Sequence, residues 1–388
     1  MPDLTVVPVL NRKQRRQFLR FPWHLYRKDP CWIPPLQHHQ KGLLGFAAHP
    51  FYEAAESQTF LATSNGSVCG RISAILNHAH NHRHKEQRGF WGFFESVDNR
   101  AVAHRLFDAA WNWLQERGAQ TFRGPVNPSM NYECGLLIDG FDTSPSFMMT
   151  YNPPYYSDLI ESWGLCKSQD LFAFWGHVEM LSSLNQKLNF VIDECKRRFD
   201  IRLRRFRPDR LLEEVHIFLE IYNQSLGGTW GFVPLSNNEV QHLAGALRHL
   251  LVPELTAIAE IDQRPVAAVV GLLDYNPLLK RINGRLFPWG FLNLRFRRRQ
   301  ITRTRIVSTN VLPEYQRWGV GLVALNRLLP DALAWGIQEG EFSWVLESNH
   351  LSRSTLERAG ARLSKTYRLY DLDKSANRQW KPEQGKDA

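Results

Sequence analysis

The sequence predicts an α/β protein built from two consecutive units of the same plan, and three observations carry that prediction. The chain has 388 residues, more than one ordinary core organises and suited to two. Apolar runs of strand length alternate with helical patterns along its length. Five elements then occur twice in the same order, the mark of an internal repeat.

The first pair is a short apolar strand followed by a basic amphipathic helix. It is "LTVVPVLNRKQRRQFLRFPWHLYRKD", with Asn11 at an N-cap position, and again "IRLRRFRPDRLLEEVHIFLEIYNQS" at 201 to 225. The second is a hairpin around a polar turn, "FLATSNGSVCGRISAIL" at 60 to 76 and "LTAIAEIDQRPVAAVVGLLD" at 255 to 274. The third is a strand, a turn and a helix ended by Gly, at 89 to 118 and 305 to 340, and the fourth is a strand, "AQTFRGPV" and "EFSWVLES". The fifth is a Gly-closed helix and a final strand, "YYSDLIESWGLCKSQDLFAF" and "SRSTLERAGARLSKTYRLY". The units are predicted at 1 to 178 and 185 to 373, with a polar tail at 374 to 388.

Composition narrows the function. A hydrophobic share of 43%, a charged share of 22% and 13 Trp describe a soluble globular chain. Its five Cys are odd in number, scattered and without a CxxC pair, so neither a disulfide framework nor a zinc knuckle is predicted, and a reducing cytoplasm fits. The stretch after Met1 carries no apolar leader and no window is long and apolar enough to span a bilayer, so neither secretion nor membrane crossing is expected. A formal charge of +10 leaves three partners in view: nucleic acid, an anionic membrane surface or an acidic ligand.

The sharpest local signal is "PEYQRWGVG", 313 to 321, which follows an apolar run and precedes a helical pattern. Two glycines at a strand-to-helix junction let something approach the main chain, and free amides at a helix start make it an anion. The amides from Trp318 through Gly319 and Val320 to Gly321 are therefore the predicted diphosphate site. No GxxxxGK[ST] loop and no GxGxxG after a first strand occurs, which removes support from nucleotide hydrolysis and dinucleotide redox chemistry.

Placed between a strand ending near Val311 and a helix, Gln316-Arg317-Trp318-Gly319-Val320-Gly321 resembles motif A of the GNAT acyltransferases, Gln/Arg-x-x-Gly-x-Gly/Ala. "ESNHLSRSTLERAGA" downstream, with Asn349, resembles their Asn-containing motif B. The resemblance implies two tandem GNAT folds, each a mixed, mostly antiparallel sheet flanked by helices. It implies that the turn binds the pyrophosphate of acyl-CoA, or the phosphopantetheine of an acyl-carrier protein, with no metal. Two departures stand out. Leu356 aligns with the Tyr that protonates the leaving thiolate in many members, and the first unit has "ESVDNRAVA" in place of the glycine turn, so that unit is expected to lack the pyrophosphate site. Over nearly its whole length the chain also resembles a bacterial group of tandem GNAT-like proteins that includes the GNAT-type ceramide synthases. The matching stretches are "GFWGFFES", "GPVNPSMNYECGLLIDGFD", "YNPPYY", "WGFVPL" and "INGRLFPWG".

Candidate chemistry centres on "NPSMNYECG", 127 to 135, where Glu133 is a candidate general base for an attacking amine and Tyr132 a donor. An equally simple reading makes this a loop that Glu133 caps. Cys134 reads as a small buried thiol, so direct transfer without an acyl-enzyme is favoured. Glu347, at the end of "WVLES" beside the cofactor strand, is the rival base, and His350 ranks below both. Trp230 and Phe232 either line an acyl channel or pack under a loop. "HAHNHRH", 78 to 84, reads as a solvated basic loop between strands, ahead of a metal site.

Residues 275 to 305 contain Lys280 and eight Arg but no acid, with Leu, Phe and Trp interleaved, in a connection much longer than a hairpin needs. This predicts an anionic membrane surface as partner through 280 to 305, ahead of nucleic acid, because Leu286, Phe287, Trp289, Phe291 and Leu292 give lipid something to bury. The expected protein is a cytoplasmic N-acyltransferase, peripheral on the inner face of the membrane, that moves a fatty acyl group from a thioester to a lipid-like amine such as a sphingoid base. The second reading, favoured by Leu356 and the lost turn, is a catalytically silent lipid or acyl-carrier binding protein.

Overall fold

Asn65 and Gly66, with φ of 49° and 73°, turn the chain between the first two long strands, and Asp262 and Gln263, with φ of 50° and 64°, do the same in the second half. Two successive residues in the left-handed region match the twist of the strands they join, so both predicted hairpins form. The computed structural model describes residues 3 to 183 and 186 to 372; the predicted tail at 374 to 388 lies outside the described residues.

The strands of the first half are β1 (Thr5–Pro8), β2 (Ala55–Ser64), β3 (Ser67–Asn77), β4 (Arg88–Ser96), β5 (Thr121–Gly124), β6 (Val126–Asn127), β7 (Glu133–Cys134), β8 (Leu136–Asp139) and β9 (Leu165–His177). Those of the second are β10 (Ile201–Arg204), β11 (Leu251–Ile261), β12 (Arg264–Leu273), β13 (Arg303–Val311), β14 (Glu339–Leu346) and β15 (Arg362–Leu372). Twelve of them run side by side in the order β1-β2-β3-β4-β5-β15-β9-β14-β13-β12-β11-β10, β8 pairs with β15, and β6 and β7 form a separate ribbon. The order reads the same from both ends, with β5 and β14, and β15 and β9, as counterparts. Each half thus gives its last strand to the other: β15 lies against β5, and β9 against β14.

Two pairs of neighbours, β4 with β5 and β13 with β14, are parallel, and the other pairs are antiparallel. Both parallel pairs part early. β13 and β14 pair from Arg303 with Glu339 to Ile306 with Phe342, yet continue to Val311 and Leu346, so a gap opens between them. β4 and β5 pair only from Arg88 with Thr121 to Phe90 with Arg123.

Helices cover the sheet where their spacing gives an apolar stripe. Arg100–Gln115 buries Val102, Leu106, Phe107, Ala110, Trp111 and Leu114, the i, i+3, i+4 pattern of one face. Val320–Trp335 buries Val323, Ala324, Leu328 and Ala332 in the same way. Asn11 and Ser236 open helices with capping boxes closed by Gln14 and Glu239. Gly336, with φ of 100°, ends the second-half helix earlier than the Gly340 at which the repeat pattern places the stop, and Gly340 instead lies in β14, paired with Thr304.

Two predicted loops are helical. "HAHNHRH" is the helix His78–His84, started by the Asn77 side chain, which accepts from the His80 amide. His80 and His84 lie one turn apart on it, their tilted rings 4.4 Å between centroids. The connection at 275 to 305 folds into Asn276–Arg281 and Gly290–Arg297, and β13 begins at Arg303, so Arg303 and Arg305 belong to the sheet.

Candidate active site

The gap in each half starts from the same local event. A register shift between β3 and β4 leaves Phe93 bulged at φ 49°, and a shift between β12 and β13 leaves Val307 unpaired between Ile306 and Ser308. What fills the two gaps differs. In the first half the chain fills its own gap: the Asn127 side chain accepts from the Phe93 amide at 2.6 Å, and a Cβ on Gly92 would meet the Val126 carbonyl oxygen at 1.7 Å. The next helix is closed as well, because Asn99 accepts from the Val102 amide at its start. In the second half no such segment follows β14, Val307 and Ser308 are half-buried, and Thr309 is exposed.

The predicted anion turn lies at the open gap. Pro313–Trp318 forms a short 3-10 turn, Gly319 takes φ 81°, and the helix begins at Val320. That φ favours glycine. Leu322 and Val323 donate to the Gly319 carbonyl, while the amides of Gly319, Val320 and Gly321 donate to no acceptor among the described residues. These are the orphan donors of a helix start.

The sequence reading gave the missing Cβ atoms to a phosphate. In the structure, protein atoms stand in both directions: a Cβ on Gly319 would lie 2.7 Å from Val191 Cγ1, and one on Gly321 3.0 Å from Val311 Cγ2. The glycines let the helix Gln186–Arg198 and β13 close on the turn, and the amides stay free. Gln316 secures this arrangement, donating from Nε2 to the Ser225 carbonyl at 3.0 Å and to that of Val311 at 3.1 Å. Arg317 is exposed, and Arg198 stacks 3.6 Å over the exposed Trp318 ring. Asn349 caps the helix His350–Arg358, accepting from the Ser352 amide at 3.1 Å, and Leu356 is buried within that helix.

The two glutamates have opposite surroundings. Glu347 accepts from Lys167 Nζ at 2.9 Å and sits over the Asp170 amide at 3.4 Å, with its side chain 39% exposed. Glu133 sits on the β6–β7 ribbon opposite Asn127, half-buried, and its carboxylate makes no hydrogen bond among the described residues. Burial pushes its carboxyl up to about 7, opposed by the Arg305 guanidinium. Burial likewise pushes the Cys134 thiol up to about 12, so it stays protonated and is a poor nucleophile. Tyr132 donates to Glu239 at 3.1 Å, and burial together with that carboxylate raises its phenol, which leaves it a weak acid with an engaged proton.

Arg305, counted in the sequence with the surface basic residues, is in fact buried. It donates to Ser343 Oγ at 2.8 Å, to the Ser343 carbonyl at 3.0 Å, and to the carbonyls of Phe147 and Met148 at 2.9 and 3.1 Å. Glu341 accepts from Ser343 and from Ser146 beside it. This polar group joins β13 and β14 to the first half at the point where the gap begins. Sequence reasoning missed it; the acid-free run around Arg305 disguised a buried arginine as a surface one.

The ribbon that carries Glu133 is held by the second half, with Asn131 donating to the Val233 carbonyl and accepting from Tyr222. Both halves therefore build the surroundings of Glu133. Trp230 stacks on Arg123 and lines a cleft of ≈ 430 Å³ with His80, Arg83 and His84, to which neither glutamate nor any residue of the glycine turn contributes. Phe232 is buried against Tyr222. No group of three or more His, Cys, Asp or Glu able to hold a metal occurs among the described residues, and none of their helices is long and apolar enough to cross a membrane.

Comparison with known proteins gives a consistent picture. The chain is 34% identical over 368 residues to "Protein YghO" of Escherichia coli (strain K12), covering 93% of each. It is 33% identical over 386 residues to the "Bacterial ceramide synthase" of Caulobacter vibrioides, covering 95% of this chain and 97% of that protein. Among solved structures, a tandem GNAT protein from the clavulanic acid biosynthesis pathway superposes with a TM-score of 0.55 at 13% identity, covering 95% of this chain and 98% of the other, a likeness of fold. No family model matches the sequence.

Proposed function

Because the chain belongs to the tandem GNAT-fold acyltransferase family, a group that includes a ceramide-synthase-named relative, we propose that it is an N-acyltransferase for a lipid-like amine. The donor is a fatty acyl thioester, carried by CoA or by an acyl-carrier protein, and the leading acceptor is a sphingoid base. One observation carries this reading: of two equivalent gaps in the sheet, one is filled by the chain itself and the other is open beside unpaired amides at a helix start.

On this reading the amides of Gly319, Val320 and Gly321 bind the diphosphate of the donor, with Gln316 fixing the turn and Val311 bounding it. The acyl arm runs along β13. Glu133 takes a proton from the acceptor ammonium, and the free amine attacks the thioester carbonyl. The amide of the bulge residue Val307 is the candidate donor to the oxyanion. When the tetrahedral intermediate collapses, the C–S bond breaks, the sulfur leaves with the electron pair, and the second amine proton passes through water to the thiolate. A relayed proton suits a site whose Tyr position holds Leu356. The acceptor's lipid character puts the work at the inner face of the cell membrane.

Free-thiol release from long-chain acyl-CoA, measured with and without a panel of amines, tests the proposal. Release that needs a long-chain amine supports it; binding of acyl-CoA without any amine-dependent release supports the silent binding protein, which the buried Leu356 favours. Glu347→Gln separates the two carboxylates. It removes an exposed ion pair worth about 0.2–1 kcal/mol, so release stays within about fivefold and the melting temperature falls by less than about 3 °C. A loss of several hundredfold would make Glu347 the base.

A further inference from the structure

Four aromatic side chains of one short segment have no use in the core. Phe287, Trp289 and Phe296 are 80%, 70% and 73% exposed and Phe291 46%, whereas Leu278, Leu279 and Ile301 at the segment's two ends are buried. Of the other large apolar side chains exposed among the described residues, Val191 and Trp318 flank the glycine turn where the helix Gln186–Arg198 packs. Isolated ones need no explanation, but a contiguous group does. Phe287 and Phe291 lie 6.2 Å apart and form one patch.

The same segment carries Arg281, Arg285, Arg295, Arg297, Arg298 and Arg299, and none of them pairs with a carboxylate among the described residues. Elsewhere most strand arginines are neutralised, as Arg123 is by Asp371 and Arg204 by Glu214 and Glu260. The segment is also held in place. Trp23 donates to Asn283 Oδ1 at 2.8 Å, the Gln37 amide to the Gly284 carbonyl at 3.2 Å, and Lys280 to the Pro30 carbonyl, all from or to the first half. Gly284 is backed so closely that a Cβ would meet the Pro35 carbonyl at 2.2 Å. A fixed base with projecting aromatic rings amid unpaired cations is the chemistry of an interfacial anchor.

We infer that residues 281 to 299, braced by the first half, form a docking face for anionic phospholipid bilayers, with the aromatic rings entering the headgroup region and the arginines binding lipid phosphates. The inference rests on the proposed function only for the acceptor being a lipid; the docking itself stands on the patch and its charge. Single-stranded nucleic acid and a second copy of the chain are the occupants the test must exclude.

The full chain is sedimented with vesicles of phosphatidylcholine alone and of phosphatidylcholine mixed with phosphatidylglycerol. Binding to the mixed vesicles, falling steeply with salt, is expected. Arg295→Gln with Arg297→Gln weakens it by about fivefold per charge. Phe287→Ser with Trp289→Ser and Phe296→Ser, all at exposed positions, removes it while the thermal unfolding curve stays in place. These serine variants keep amine-dependent thiol release on acceptor dispersed in detergent and lose it on acceptor embedded in vesicles. Gly321→Glu does the reverse, binding vesicles without turnover, so failure of the docking face and failure of the transferase reading give different results. Equal binding to neutral and mixed vesicles, tight binding of a single-stranded oligonucleotide that displaces vesicles, or a dimer in sedimentation that the serine variants dissolve would each overturn the inference.

Discussion

Gly321→Glu abolishes acyl-CoA-dependent thiol release while leaving the fold intact. The substitution sits in the first turn of Val320–Trp335, where a Cβ meets only side-chain methyls, Val311 Cγ2 at 3.0 Å and Thr309 Cγ2 at 3.2 Å. Those neighbours can give by a few tenths of an ångström, so the stability cost is small. The functional cost is not. A helix start carries roughly half a positive charge, and a glutamate there neutralises it and brings a carboxylate to the three free amides. Each hydrogen bond from an amide to a charged oxygen contributes about 1.5–3 kcal/mol, so losing two weakens donor binding by about 100-fold or more. Isothermal titration with acyl-CoA reads the loss directly, and circular dichroism checks the fold. Gly321→Ala is the control: it adds the Cβ without the charge and keeps most of the affinity. Unchanged titration by the Glu variant would remove the turn from donor binding, and with it the support for transfer at this gap.

The parts of this protein that follow local rules were legible from the sequence. Hairpins and Asn caps depend on a few adjacent residues, and Asn65-Gly66 and Asn11 declare themselves. The exchange of β9 and β15 was not legible, because a strand's partner is set by long-range packing and either neighbour satisfies the same apolar pattern. The histidine helix was missed because a short polar run between two strands reads as a loop, although Asn77 ahead of it offers a helix cap. Of the site, the turn was visible as glycines, yet the reason for them was not, since Val191 comes from more than a hundred positions away. Nothing in "NPSMNYECG" told that Asn127 closes one gap while Glu133, on the paired strand, feels the opposing charge of Arg305.

That contrast between the glutamates leads to the second large effect. Glu133→Gln lowers kcat/KM for amine-dependent release by about 10²- to 10⁴-fold, the range a positioned general base contributes. The pH profile identifies the role. Burial holds the Glu133 carboxyl at about 7 against the opposing pull of Arg305, and the base acts only when ionised, so wild-type kcat/KM rises with pH through that value. In the Gln variant this limb disappears, and what remains follows the acceptor's own ammonium. A merely structural glutamate would lower the rate without moving the limb. Stability gives an independent sign. A carboxyl raised in the folded state favours folding while it is protonated, and that contribution is lost as pH climbs from the ordinary carboxylate value near 4.5 towards about 7. Glu133→Gln cannot ionise, so it melts higher than wild type at pH 8 and close to it at pH 4. A variant slower in turnover yet more stable above neutrality is what a base kept in a desolvated place for its chemistry predicts. Should the variant keep the wild-type profile and melt lower at every pH, Glu133 caps its loop and the proton goes elsewhere.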